Sequence, residues 1–178
     1  MSGQPSTSTQ RSVGEVHEGF TLLEFVAEGP FSEVWRAQGR GQVAALKFAR
    51  GEVGARMLAE EARVLAGLRE RGHTAQGAQS FQSVLSREQE VAVGALYFGA
   101  GGDERSDFLA TLWIPGGSLR SRLERIAGPD DRAQAVELFC DLVFGVARVH
   151  ALGIVHGDIK PENVLLDGAR PLLIDFGL

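Results

Sequence analysis

The stretch that decides the reading is Ile154-Val155-His156-Gly157-Asp158-Ile159-Lys160-Pro161-Glu162-Asn163-Val164-Leu165-Leu166, followed by Ile174-Asp175-Phe176-Gly177. Two short apolar runs, Val164-Leu165-Leu166 and Leu172-Leu173-Ile174, flank the turn signal Asp167-Gly168, which predicts a tight hairpin. Taken singly, Asp158 and Asn163 are ordinary turn formers and Asp175 an ordinary helix cap. Turns do not require their order and spacing. Asp158 stands five residues before Asn163 and seventeen before Asp175.

These segments resemble the catalytic loop (HRDxKPEN) and the metal-binding motif (DFG) of eukaryotic-type Ser/Thr protein kinases. The resemblance implies transfer of the ATP γ-phosphoryl group to a Ser or Thr hydroxyl of a protein substrate, with ATP and Mg2+ as cofactors. Such transfer asks the protein for positioning and for cations against the triphosphate charge. Hard cations take oxygen ligands, and Asn163 and Asp175 can offer an amide oxygen and a carboxylate. On this resemblance Asp158 accepts the substrate hydroxyl proton, and Lys160 contacts the γ-phosphate. Gly157 departs from the pattern, because most members carry arginine there. That arginine pairs with a phosphate on the activation loop, so glycine implies freedom from such control.

Toward the N-terminus, Val43-Ala44-Ala45-Leu46-Lys47 is similar to the third-strand VAIK motif, whose lysine holds the α- and β-phosphates. Its helix partner in the family pattern falls on Glu61, fourteen residues after Lys47, with the adjacent Glu60 as the alternative. Leu109 to Leu119 resembles the hinge and the helix start after it. Thr111 falls at the gatekeeper position, and the Leu112 carbonyl and Ile114 N–H are expected to pair with adenine. Ser118 also reads as a helix cap. Ala27, Val34, Ala45 and Leu165 are expected in the same nucleotide pocket. The phosphate loop is the poorest match. The pattern G-x-G-x-x-G-x-V falls on Ala27-Glu28-Gly29-Pro30-Phe31-Ser32-Glu33-Val34, where Gly29 alone is kept of three glycines. Pro30 has no N–H to donate, and alanine or serine restricts close backbone approach.

Between the motifs, residues 20–26, 33–37 and 42–48 read as an antiparallel meander. Met57, Leu58, Glu61, Val64, Leu65 and Leu68 recur at helical spacing within a helix predicted over 54–71. Residues 91–98 and 108–114 read as strands joined by a turn at 99–103, after a polar segment over 72–90 that the family pattern lacks. Residues 118–126 and 132–151 read as helices, the second with Val136, Phe139, Val143 and Val146 on one face. Cys140 reads as a small core or helix residue. The fold class is α+β and protein-kinase-like: a disordered tail over 1–18, a sheet-rich N-lobe with one helix over 19–114, and part of a mainly helical C-lobe over 115–178.

Composition narrows the setting. The 178 residues are 44% hydrophobic and 23% charged, with a net charge of -5, which is ordinary for a globular protein. Basic residues are scattered, so no nucleic-acid partner is expected. The one cysteine allows no internal disulfide and fits a reducing compartment. The opening MSGQPSTSTQRS lacks the apolar core of a signal peptide. No apolar run approaches the roughly 20 residues of a membrane span. A cytoplasmic protein without membrane contact is the expectation.

The leading functional reading is an ATP-dependent Ser/Thr protein kinase, present as an incomplete catalytic domain. The resemblance covers 20–178, and the family domain continues with an activation segment and further helices. The chain alone is then expected to be catalytically silent, with part of the apolar face of its last helix left uncovered. The alternative is a pseudokinase or ATP-binding scaffold module without transferase activity. The glycine-poor loop favours it, and the retained Lys47, Asp158 and Asp175 speak against it. A small-molecule phosphotransferase of similar fold fits Lys160-Pro161-Glu162-Asn163 and the complete Asp175-Phe176-Gly177 less well.

Overall fold

The computed structural model describes residues 11–73, 97–102, 107–126 and 128–176. A short strand β1 (Val16–His17) leads into β2 (Phe20–Glu28), β3 (Ser32–Gly39) and β4 (Gln42–Ala49). Helix α1 (Gly51–His73) follows at once, and then β5 (Tyr97–Gly102) and β6 (Asp107–Leu112). Six strands form one antiparallel sheet in the order β1-β2-β3-β4-β6-β5. The β3–β4 turn is Arg40-Gly41, both at positive φ (52 and 78), the two-residue turn whose twist suits a hairpin. Alternation along these strands gathers Phe20, Leu22, Trp35, Ala37, Leu46, Phe48 and Phe108 into an aromatic cluster on one face of the sheet.

Helix α1 carries Leu58, Glu61, Leu65 and Leu68 on one stripe, and the three leucines are buried. They join a second core with Leu142, Val149, Val164, Leu173 and Phe176, so this core runs from the first helix to the C-terminal hairpin. Beyond β6 come α2 (Leu119–Leu123), α3 (Pro129–Ala151), a 3-10 turn over Pro161–Asn163, and the hairpin β7 (Val164–Asp167) and β8 (Arg170–Leu173). Ser118 caps α2 through its side chain, as its sequence position predicts. Gly116 lies against the Leu166 carbonyl, where a Cβ would collide, and the Leu166 N–H donates to the Gly117 carbonyl at 2.9 Å. The Gly116-Gly117 turn is therefore pinned to β7.

Several expectations are revised. Residues 11–18 are not a loose tail, because β1 pairs with β2 and Arg11 and His17 are buried. His17 packs edge-on to Phe48, and the Arg11 guanidinium lies 3.8 Å over the same ring while bonding Glu33 at 2.6 Å. An aromatic sheet face left in water would be unfavourable, and this segment covers it. Gly99 to Gly102, expected as a turn, continues strand β5. Helices α1 and α3 each begin three residues earlier than predicted, and α2 stops at Leu123. In α3 the packed stripe is Leu138, Leu142 and Val149 with Val146 at its edge, whereas Val136, Phe139 and Val143 are exposed. Cys140 is on the helix and exposed. The rest of the predicted strand over 91–98, most of the polar segment 72–90, and Gly177 fall outside the described residues.

Candidate active site

Strand β4 positions Lys47. The β3–β4 register places it beside Val34, and the β4–β6 register beside Leu109. Its amine donates to Glu61 Oε2 at 2.7 Å and to Asp175 Oδ1 at 2.7 Å. Of the two adjacent glutamates, Glu61 lies on the buried stripe of α1, whereas Glu60 is bonded to exposed Arg63. Burial pushes Glu61 up to about 7, against the pull of Lys47. Burial alone would lower Lys47, but Glu61 and Asp175 outweigh it and hold the amine above its usual range. Asp175 adopts φ 62, a left-handed conformation that aspartate tolerates better than most residues.

Two cavities meet at this trio. One, of about 440 Å³, is lined by Ala27, Val34, Ala45, Thr111, Leu112, Ile114 and Leu165, with Lys47, Glu61 and Asp175 at its inner end. Its walls are mostly apolar, and the chain leaving β6, from Leu112 to Pro115, lines it too, which suits a flat heteroaromatic ring. The other, of about 320 Å³, is lined by Gly29, Pro30, Lys47, Glu61, Asp158, Lys160 and Asp175, among others. Each predicted nucleotide-site residue therefore lines one cavity or the other. Asn163 lines neither. It is buried beneath the loop, and its Nδ2 donates to the Asp158 carbonyl at 3.0 Å and to Asp158 Oδ2 at 2.9 Å. Its amide nitrogen is thereby engaged, and the oxygen is the atom left to serve a cation.

The loop that carries Asp158 is ordered from beneath by His156, a residue that the sequence motif displays without assigning it a separate role. It is buried and packs against Phe176, with ring centroids 4.5 Å apart and the ring planes tilted by 46°. Nε2 faces the Ile174 carbonyl at 2.9 Å, and Nδ1 faces the Asp158 N–H at 3.3 Å. A carbonyl only accepts and an amide only donates, so Nε2 carries the proton and Nδ1 is bare. His156 thus joins the two halves of the motif. Lys160 donates to Asp158 Oδ2 at 2.5 Å, and this bond holds the Asp158 carboxyl below the usual carboxylate range. Asp158 stays ionised through the neutral range, as an acceptor facing the second cavity.

The oxygens of Asp175 and Asn163, close to Asp158, are hard donors of the kind Mg2+ takes. Among the described residues no three His, Cys, Asp or Glu side chains cluster as a self-sufficient metal site. Asp175 and Asn163 would hold a divalent cation here only with further oxygen ligands from outside the protein, and their oxygens fit that chemistry. No described helix is long and apolar enough to cross a membrane.

A probable serine/threonine-protein kinase of Dictyostelium discoideum is 31% identical over 163 residues, which is 89% of this chain and 11% of that protein. CBL-interacting protein kinase 22 of Oryza sativa subsp. japonica is 51% identical over 73 residues, 40% of this chain and 16% of that protein. The chain thus spans a small part of these curated relatives. The crystal structure of a point mutant of the Mycobacterium tuberculosis PknI kinase domain superposes with a TM-score of 0.60 over 94% of this chain and 63% of that one; at 20% identity this speaks to the fold alone. The family model for the protein kinase domain matches residues 20–178, and with that match the chain belongs to the protein kinase family.

Proposed function

We propose that this chain binds ATP with Mg2+ and is the catalytic core of a Ser/Thr protein kinase, with residues 19–114 as the N-lobe and those from 115 onward as part of the C-lobe. One observation carries the reading: Lys47 reaches Glu61 and Asp175 at once, at the junction of the two cavities. The hinge backbone at Leu112 and Ile114 holds the adenine edge. Lys47 holds the α- and β-phosphates. Asp175 and Asn163 would hold the cation, which supplies charge neutralisation at the phosphates. Asp158 orients the substrate hydroxyl and accepts its proton, and Lys160 leaves Asp158 for the γ-phosphate.

The test separates binding from transfer. Asp158→Asn is expected to keep Mg-ATP affinity and abolish transfer in a form of the protein spanning a whole catalytic domain. Asp175→Asn is expected to weaken Mg-ATP binding as well. Near-normal turnover by Asp158→Asn would sink the assignment. The scaffold reading draws support from the loop at Gly29: its N–H is spent on the Ser32 carbonyl at 2.7 Å, and Pro30 offers none. That reading predicts nucleotide binding with no transfer in any wild-type form.

A further inference from the structure

Where the family pattern has a glycine-rich loop, this chain has a turn fastened at several points. The Gly29 N–H donates to the Ser32 carbonyl at 2.7 Å and closes the turn on itself. The Arg50 N–H donates to the Phe31 carbonyl at 2.8 Å. The Arg50 side chain reaches Glu28 Oε2 at 3.1 Å and the Gly29 carbonyl at 3.3 Å. Arg50 is also the only residue between the end of β4 and the start of α1. Within the first turns of α1, Gly54 is buried with the Phe31 carbonyl directly over it. A Cβ at Gly54 would collide with that oxygen, which is backbone and cannot swing aside. Glycine is a poor helix former, so intrinsic preference does not explain it there. Close approach of the turn does.

We propose that Arg50 and Gly54 form a latch that holds the β2–β3 turn down on α1, over the cavity shared by Lys47, Asp158 and Asp175. They act as positioning residues for the nucleotide's phosphates. This role rests on the ATP reading above. A glycine-rich loop closes by flexing. Here the turn is pre-set, with the Gly29 N–H engaged and none on Pro30. The latch supplies order where the loop lacks donors.

The experiment uses the full chain and two readouts. The first is amide hydrogen exchange at Gly29 and Arg50, which needs no ligand. The second is the ratio of Mg-ATP to adenosine affinity, which isolates the phosphate end. Gly54→Ala is expected to speed Arg50 exchange and to lower the affinity ratio about tenfold, with adenosine binding unchanged. Intrinsic propensity alone predicts the opposite, a firmer helix. Should Gly54→Ala fail to fold, Arg50→Ala is read in its place: faster Gly29 exchange and a lower ratio, both restored by Arg50→Lys. Unchanged exchange in both variants overturns the latch and leaves the ATP reading intact. Faster exchange with an unchanged ratio overturns the positioning role. A wild type that prefers Mg-ATP no more than adenosine overturns that role through the ATP reading, while the exchange data still report the latch itself.

Discussion

Burial holds Glu61 near neutrality while Lys47 stays charged, so the ion pair between them is a function of pH. Between 4.5 and about 7 the folded chain keeps a proton on Glu61 that the unfolded chain has released. Its contribution to stability is therefore full below 4.5 and is lost as the pH rises through about 7. Binding of the proposed ligand is expected to run the other way, because a protonated Glu61 no longer forms an ion pair with Lys47. Mg-ATP affinity, followed by titration calorimetry across this window, is expected to fall as the pH drops through about 7, and Glu61→Gln to flatten that dependence. The same substitution is expected to lower affinity about tenfold above the window, the worth of one charge-assisted hydrogen bond. Gly157 gives a second test. It sits at φ 83, so Gly157→Arg is expected to lower unfolding stability by about 1 kcal/mol through left-handed strain. Phosphatase treatment of a transfer-competent wild type is expected to leave its activity unchanged; a large loss would show phosphate control through other residues. That Lys47, Asp158, Asn163 and Asp175 belong to one site was legible only through the resemblance, because the motifs carry the order and spacing that bring them together. His156 was visible but silent, since its two hydrogen bonds exist only once the loop and the hairpin meet.

At the scale of elements, α3 shows where periodicity stops informing. Two stripes of the helix are apolar, and a helical period cannot say which one packs. The structure buries Leu142 and Val149 and leaves Val136, Phe139 and Phe144 at 63%, 64% and 70% exposure. Leu142→Ala is expected to lower stability by about 2–5 kcal/mol in denaturant unfolding. Replacing Val136, Phe139 and Phe144 together with serine is expected to change stability little and to reduce self-association in ultracentrifugation. Equal destabilisation by both sets would mean the packed face is assigned wrongly. The segment before β2 was illegible for a related reason. Ser, Thr and Gln in its first residues look like solvated chain, and nothing local announces the aromatic face that Arg11 and His17 cover. Arg11→Ala takes the cation away from Glu33, a carboxylate only 16% exposed, and is expected to cost about 3 kcal/mol of stability. A loss well under that, read from thermal unfolding, would show that the segment is ornamental to the sheet.

Across the whole molecule, the order of the larger strands and helices was readable from turn signals and changes of period, whereas β1 carried no such mark and the glycines of β5 read as a turn. The closeness of α1 to β4 was not, because a helix start three residues early is invisible to hydrophobic spacing. What unites the two ends of the chain is the Lys47–Asp175 contact, between residues 128 apart in sequence. That contact has a consequence for how a ligand arrives. Around the cavity of about 320 Å³ stand three carboxylates (Glu61, Asp158, Asp175) and two amines (Lys47, Lys160), leaving one net negative charge once Glu61 is ionised. A bare triphosphate would diffuse toward a mouth of its own sign and find its lysine already occupied. A triphosphate travelling with its cation presents far less repulsion, and the cation offers Asp175 an exchange partner for Lys47. In stopped-flow measurements the association rate is expected to be higher for Mg-ATP than for metal-free ATP, with the gap narrowing as added salt screens the field. On the proposed ATP reading, a cleft of this charge would discriminate at the encounter, favouring the complexed nucleotide by speed before any question of affinity arises.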